Sequence, residues 1–257
     1  MVAGRHSEQE MMMRTVLITG AAGRIGTFLA GQLAGRYALR LSDRVAAATD
    51  VAPFVPADLA VYDQVRAACD GIDTVVHLGA DPRVDAPWEA LLPANIAGAY
   101  HVFEAAAAAG CRRVVFASSI NAMGAYPRDT QIRTDMPLRP ANLYGATKAW
   151  GEILGRLYAD TRGLSALCLR FGAVITGPQH LWIAPDSPLM SAVLTLRDLT
   201  ALVCAAIDAP ERLRFGIYHG VSANRWQRMD LGDTRDDLGY DPQDDAFAML
   251  PAPGAEL

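Results

Sequence analysis

Nowhere does the sequence hold an uncharged apolar run of about 18 residues, the length a helix needs to span a bilayer, so no membrane span is expected. Positive charge is scarce: 23 Lys and Arg against 28 Asp and Glu leave a net charge of −5. That balance argues against the basic footprint of a nucleic-acid binder. Only four cysteines occur (Cys69, Cys111, Cys168, Cys204), scattered, without C-x-x-C or a neighbouring histidine. Reduced, mostly buried thiols in a cytoplasmic protein are expected, with no disulfide framework and no metal site. The N-terminal MVAGRHSEQEMMMR has no apolar core and is not a secretory signal. Residues 1–13 are expected to be a disordered extension. No internal repeat is visible.

What is present is an alternation. Short aliphatic runs at 14–20, 37–43, 54–59, 73–80, 112–119 and 164–172 read as strands. Helical periodicity fills 24–36, 61–69, 88–110 and 142–158. Near-continuous apolar strands alternating with helices predict an α/β fold whose parallel sheet is covered on both faces. After 172 the pattern loosens: 173–190 reads as a loop, 197–209 and 233–240 as helices, 215–223 as a strand. No linker divides the chain, so 14–257 reads as one domain, a core over 14–172 with a small C-terminal substrate cap over 173–257.

The first strand runs into TGAAGRIG, with Gly20, Gly23 and Gly26 opening the first helix. Glycines there let the chain turn tightly and let backbone N–H groups approach a pyrophosphate. Asp43 ends the second strand, where a carboxylate accepts hydrogen bonds from the adenosine ribose and repels a 2′-phosphate. The sheet therefore reads as Rossmann-type and doubly wound, with NAD favoured over NADP. Arg24 and Arg44 pull the other way, since either could meet a phosphate.

Further along, NLYGATKAWGE places Tyr144 four residues ahead of Lys148, on one face of a helix. With TGxxGxxG at 20–26, Asp43, ADL at 57–59, HLGA at 77–80, Asn95 and FASS at 116–119, this pair makes residues 14–240 resemble the extended short-chain dehydrogenases/reductases, the NAD-dependent epimerase/dehydratase family. The resemblance implies catalytic Ser119, Tyr144, Lys148 and Asn95. It implies an NAD site drawn from Gly20, Gly23, Arg24, Ile25, Gly26, Asp43, Asp58, Leu59, Leu78, Gly79, Ala80, Tyr144, Lys148 and Phe171. Tyr144 would be the general base and Ser119 would hold the substrate oxygen. Asn95 would order the lysine side of a proton relay. A tyrosine hydroxyl near 10 is a poor base at neutral pH. Lys148 places one positive charge beside it, and oxidised nicotinamide would add a second. A unit charge about 4–5 Å away is worth about 3–4 kcal/mol at an effective dielectric near 20, which brings the tyrosine near 7.

Within the family the likeness is greatest to uronate dehydrogenases, through VVFASS, LYGATKAWGE and the short length. They act on hexuronic acids with NAD, so a small sugar or sugar acid oxidised at the anomeric carbon is expected, in a homo-oligomer. Two features depart from them. Ser119 is followed by Ile120-Asn121 in place of Asn-His, and 173–190 contains no Arg or Lys for a substrate carboxylate. Arg83 is an alternative from another loop, with Ser118, Ser119 and Asn121 as further substrate contacts and His180 and Trp182 as cap candidates. A nucleotide-sugar C4-epimerase that retains its NAD is the alternative activity, disfavoured because little chain is left to enclose a second nucleotide.

Overall fold

In the computed structural model, residues 13–175, 187 and 189–249 are described. The aliphatic runs become β1 (Thr15–Thr19), β2 (Ala38–Asp43), β3 (Phe54–Pro56), β4 (Thr74–His77), β5 (Arg113–Ser119) and β6 (Ser165–Phe171). Two short strands, β7 (Ala173–Ile175) and β8 (Val193–Thr195), follow, and β9 (Phe215–Gly220) closes the series. Seven of the nine form one sheet, ordered β3-β2-β1-β4-β5-β6-β9, with every neighbouring pair parallel. The order reverses between β1 and β4, and a crevice outside the strand C-termini forms at such a switch point.

Helices cover both faces. On one lie α1 (Arg24–Leu33) and α6 (Leu196–Asp208), whose Leu29, Leu33, Leu199 and Leu202 are buried with Val16, Ile18 and Leu167 of the sheet. On the other lie α2 (Tyr62–Ala68), α3 (Trp88–Leu91), α4 (Gly98–Ala108) and α5 (Leu143–Thr161), with Val65, Val102, Phe103 and Leu154 set against Leu17, Val75 and Phe116. A final helix, α7 (Gly232–Leu238), ends at Gly239, whose left-handed φ of 65° suits glycine. All four cysteines are free and buried. No helix among the described residues is long and apolar enough to cross a membrane.

Three expectations change. The helix expected over 88–110 carries a π-helical segment at Leu92–Ala97, where Gly98 N–H reaches back to the carbonyl of Pro93. The stretch read as a loop from 173 begins with β7, which pairs with β8; His180 and Trp182 lie outside the described residues. The core also extends past 172, because β9 is the seventh strand of the main sheet and α6 covers its face.

Helix α5 lies unusually close to the sheet. Glycine weakens a helix interior by about 1 kcal/mol relative to alanine, yet α5 has Gly151 and Gly155 on its buried face. A Cβ at Gly151 would lie 2.1 Å from the Phe116 ring, and one at Gly155 would lie 3.1 Å from Cys168 Sγ. Between these glycines, Glu152 forms a buried two-pronged pair with Arg170 of β6 at 2.8 Å per hydrogen bond. Gly151→Ala should therefore destabilise the fold by about 1–2 kcal/mol despite alanine's better helix propensity, because overpacking a tight core typically costs about 1–3 kcal/mol. Urea unfolding reads this as a lower midpoint with an unchanged slope. An unchanged midpoint would mean that α5 is not seated on Phe116.

Candidate active site

The crevice at the switch point is built from glycines. Gly20, at the end of β1, has φ 73°, and a Cβ there would lie 2.6 Å from the backbone nitrogen of Gly79 beyond β4. A Cβ at Gly26 would lie 2.2 Å from the carbonyl oxygen of Gly20. Only bare backbone allows the β1–α1 turn and the end of β4 to touch in this way. The first turn of α1 has no acidic residue, and its N-cap Gly23 makes no side-chain hydrogen bond. The positive end of the helix is thus open to an anion.

Asp43 ends β2 facing this turn. One carboxylate oxygen accepts from Ala22 N–H at 3.1 Å and the other from Arg44 N–H at 2.7 Å. Leu59 wedges between strand and helix, since a Cβ at Gly79 or Gly98 would meet its side chain at 2.6 or 2.8 Å. The exposed Asp58 caps its own loop by accepting from Ala60 N–H at 2.9 Å. Leu78 and Ala80 flank Gly79, Ile25 lies in the first turn of α1, and Phe171 is buried at the end of β6. A glycine cradle, an open helix N-terminus and a carboxylate at the end of β2 fit a dinucleotide.

The chemical groups gather at the end of β5. Ser119 Oγ accepts from both the backbone and the side-chain nitrogen of Asn121 at 3.1 Å. Asn121 Oδ1 accepts from Asn142 Nδ2 at 3.3 Å, and Asn142 Oδ1 caps α5 by accepting from Gly145 N–H at 2.7 Å. A Cβ at Gly145 would lie 2.3 Å from the Asn121 carbonyl oxygen. This asparagine chain and that glycine bring Tyr144 against Ser119. Burial raises the Tyr144 pKa above its ordinary value, and a hydrogen bond with Ser119 offsets part of that.

Lys148 is fully enclosed. Its ammonium donates to the carbonyl of Ala117 at 2.8 Å and lies over the rings of Phe116 and Tyr144, 5.2 and 5.6 Å from their centroids. Burial lowers its pKa to about 8. Below it, burial and the charge of Lys148 hold His77 down at about 3, so its ring is neutral, 2.7 Å from Thr19 Oγ1. The tyrosine expected near 7 is therefore not reached in the chain alone. Lys148 is turned to the strand backbone, and desolvation outweighs the hydrogen bond from Ser119.

Other expected residues fall elsewhere. Ser118 points away from the crevice and donates to Glu152 at 2.6 Å, buried beneath α5. Alternating strand side chains put neighbours 118 and 119 on opposite faces, so Ser118 is corrected from a substrate contact to a support. Arg83 is exposed and pairs with Asp81 of its own loop at 2.7 Å. Asn95, in the π-helical segment, accepts from Asp81 N–H at 2.8 Å and donates to Thr147 Oγ1 at 3.0 Å. It ties the loop after β4 to α5 one residue from Lys148, rather than touching the lysine.

One signal in the sequence went unused: Lys148 is the only lysine, against 22 arginines. A guanidinium stays protonated in a protein, whereas a buried ammonium can be brought near neutral pH. A second feature had no motif at all. Beyond Asn121 opens a cavity of about 180 Å³ whose walls include Arg128 and Arg228.

Residues 16–191 match the NAD dependent epimerase/dehydratase family. The NAD-dependent glucose-6-phosphate dehydrogenase of Haloferax volcanii is 34% identical, the match covering 91% of this chain and 95% of that protein. The uronate dehydrogenase of Agrobacterium fabrum is 36% identical over 92% of this chain and 87% of its own. A crystal structure of a uronate dehydrogenase mutant from Agrobacterium tumefaciens, complexed with NAD, superposes with a TM-score of 0.82 at 34% identity, covering 94% of this chain and 92% of that one.

Because there is one lysine, its ionisation can be read directly. With lysine labelled by carbon-13 at Cε, NMR should show one resonance titrating near pH 8. Burial penalises the charged form and so moves the midpoint down from 10.5. A midpoint at 10 or above would contradict the enclosed position of Lys148.

Proposed function

The chain belongs to the NAD dependent epimerase/dehydratase family, and from that premise we propose that it oxidises a hydroxyl, at the anomeric carbon, of a small sugar or sugar acid. The observation that carries this reading is the contact of Tyr144 with Ser119 at the end of β5, with Lys148 packed against the tyrosine ring. The names of the relatives support the substrate class. Both are dehydrogenases, one of a sugar phosphate and one of uronates.

In this reading Ser119 holds the substrate oxygen by hydrogen bonding. Asn121 fixes the Ser119 Oγ from two sides and so sets where that oxygen sits. Tyr144, ionised, takes the proton of the substrate hydroxyl as the C–O bond becomes a carbonyl. NAD, when bound, supplies the hydride acceptor and a positive charge beside the tyrosine. Lys148 supplies the chain's own positive charge there, and positive charge lowers a phenol's pKa. Gly20, Gly23 and Gly26 would cradle the pyrophosphate and Asp43 would hold the adenosine ribose, while Asn95 positions the loop after β4 against α5. Anomeric oxidation of a ring sugar yields a lactone.

The working assembly is a homo-oligomer in the cytoplasm, with neither nucleic acid nor membrane as partner. Exposed Trp88, Tyr100, Ile153 and Leu157 on α3, α4 and α5 support association with a second copy, and the reduced, buried thiols support the compartment.

A panel of hexoses, hexuronates and sugar phosphates, followed by absorbance of the reduced cofactor, tests the substrate class. On the best substrate, Tyr144→Phe should lower kcat by about 10²–10⁴-fold, the usual worth of general acid–base catalysis, while NAD affinity stays within about threefold of wild type by the same reasoning. A variant keeping more than about a tenth of kcat would remove Tyr144 as the base.

A further inference from the structure

The cavity beyond Asn121 is walled by Met123, Ile132 and Tyr126 together with Arg128 and Arg228. Its tie to the reacting groups is Asn121, which lines it and at the same time bonds Ser119 Oγ. Arg228 is held there firmly. One of its terminal nitrogens donates to the carbonyls of Tyr126 and Pro127 at 2.8 and 3.2 Å. Its own carbonyl accepts from Ile132 N–H at 2.7 Å, and the Ile132 carbonyl in turn accepts from Asp230 N–H at 2.8 Å.

Among the described residues, one donor of Arg228 is left unsatisfied. Its Nε is buried without a hydrogen-bond partner. No carboxylate forms an ion pair with Arg228 or with Arg128 among the described residues. The nearby Arg133 and Arg225, by contrast, are paired with Asp135 and Asp245. Burial, and after it the neighbouring charge of Arg128, lowers the pKa of Arg228. A bound anion would relieve both the repulsion and the unpartnered donor, through charge-assisted hydrogen bonds of the strong kind.

We propose that Arg228, with Arg128, receives an anionic group carried by the sugar away from its oxidised carbon, so that the enzyme selects acidic sugars over neutral ones. This rests on the sugar-oxidation reading above and names the chemistry at the far end of that substrate. Carboxylate and phosphate share the needed charge and acceptor geometry. The arginines reach the site from the loop after β5 and the loop after β9, not from 173–190.

Calorimetry with saturating NADH, where the sugar binds but cannot be oxidised, reads the subsite apart from turnover. Glucuronate, glucose 6-phosphate and glucose are titrated into wild type, Arg228→Gln and Arg228→Lys. One of the two anionic sugars should bind roughly 10- to 100-fold more tightly than glucose, the usual worth of a charged hydrogen bond. Which one does so separates a carboxylate from a phosphate. Arg228→Gln should shrink that ratio to within about threefold, and Arg228→Lys should restore part of it, by the same charge argument. Should Arg228→Gln fail to fold, Arg128→Gln carries the test, because Arg128 is exposed, and it should also shrink the ratio. Glucose binding as tightly as both anionic sugars, or a ratio that survives the arginine substitutions, would overturn the proposal. Failure of wild type to reduce NAD with any sugar would instead overturn the oxidation reading, since binding is measured without turnover.

Discussion

The candidate site depends on how closely α5 can lie on β5. Three glycines set that distance: Gly145 against the Asn121 carbonyl, Gly151 against the Phe116 ring and Gly155 against Cys168. With side chains there, the helix would stand away from the strand, and Tyr144 would part from Ser119. The buried Glu152–Arg170 pair acts in the same place, clamping α5 to β6, and Ser118 satisfies it further from the neighbouring strand. A buried pair of this kind is weak evidence for stability, because desolvation offsets the attraction. Its geometric effect is clearer: it fixes where the helix sits along the sheet.

That closeness also governs the electrostatics. Enclosing Lys148 between α5 and β5 costs its charged form, which is why its pKa falls to about 8. Enclosing Tyr144 costs the phenolate, which is why its pKa rises. The chain alone therefore holds a nearly neutralisable ammonium beside a phenol that resists ionisation. Positive charge arriving in the crevice favours the phenolate. In the proposed reading, Tyr144 would thus become a better base when the cofactor is in place, and proton abstraction would be coupled to cofactor occupancy. The choice of lysine at the one enclosed cationic position, in a chain that otherwise uses arginine, suits this arrangement.

Much of this was legible in the sequence, and the reasons differ from element to element. The strands of the core and the Gly20–Gly26 turn were legible because aliphatic runs and glycine spacing are local. Ser119 was named through the family resemblance, yet the inward turn of Ser118 toward Glu152 was not read, although strand alternation implies it. The π-helical segment that presents Asn95 was invisible, because Leu92–Ala97 has the same periodicity as the helix around it. The strand β7 was hidden by its three-residue length and its partner 20 residues away. Arg128 and Arg228 are brought to one cavity by two distant loops, and no local pattern announces that. For Arg83 the charge was legible, but not its pairing with Asp81, two residues earlier.

The claim that matters most is that hydride leaves the sugar with the cofactor and does not return to it. Deuterium at C1 of the sugar that turns over reports this directly. The account predicts net growth of reduced-cofactor absorbance, deuterium on the nicotinamide ring, a lactone product without deuterium at C1, and a protein that purifies mostly free of NAD. Constant absorbance with NAD copurifying in stoichiometric amount, and interconversion of two nucleotide sugars, would contradict it and identify an epimerase.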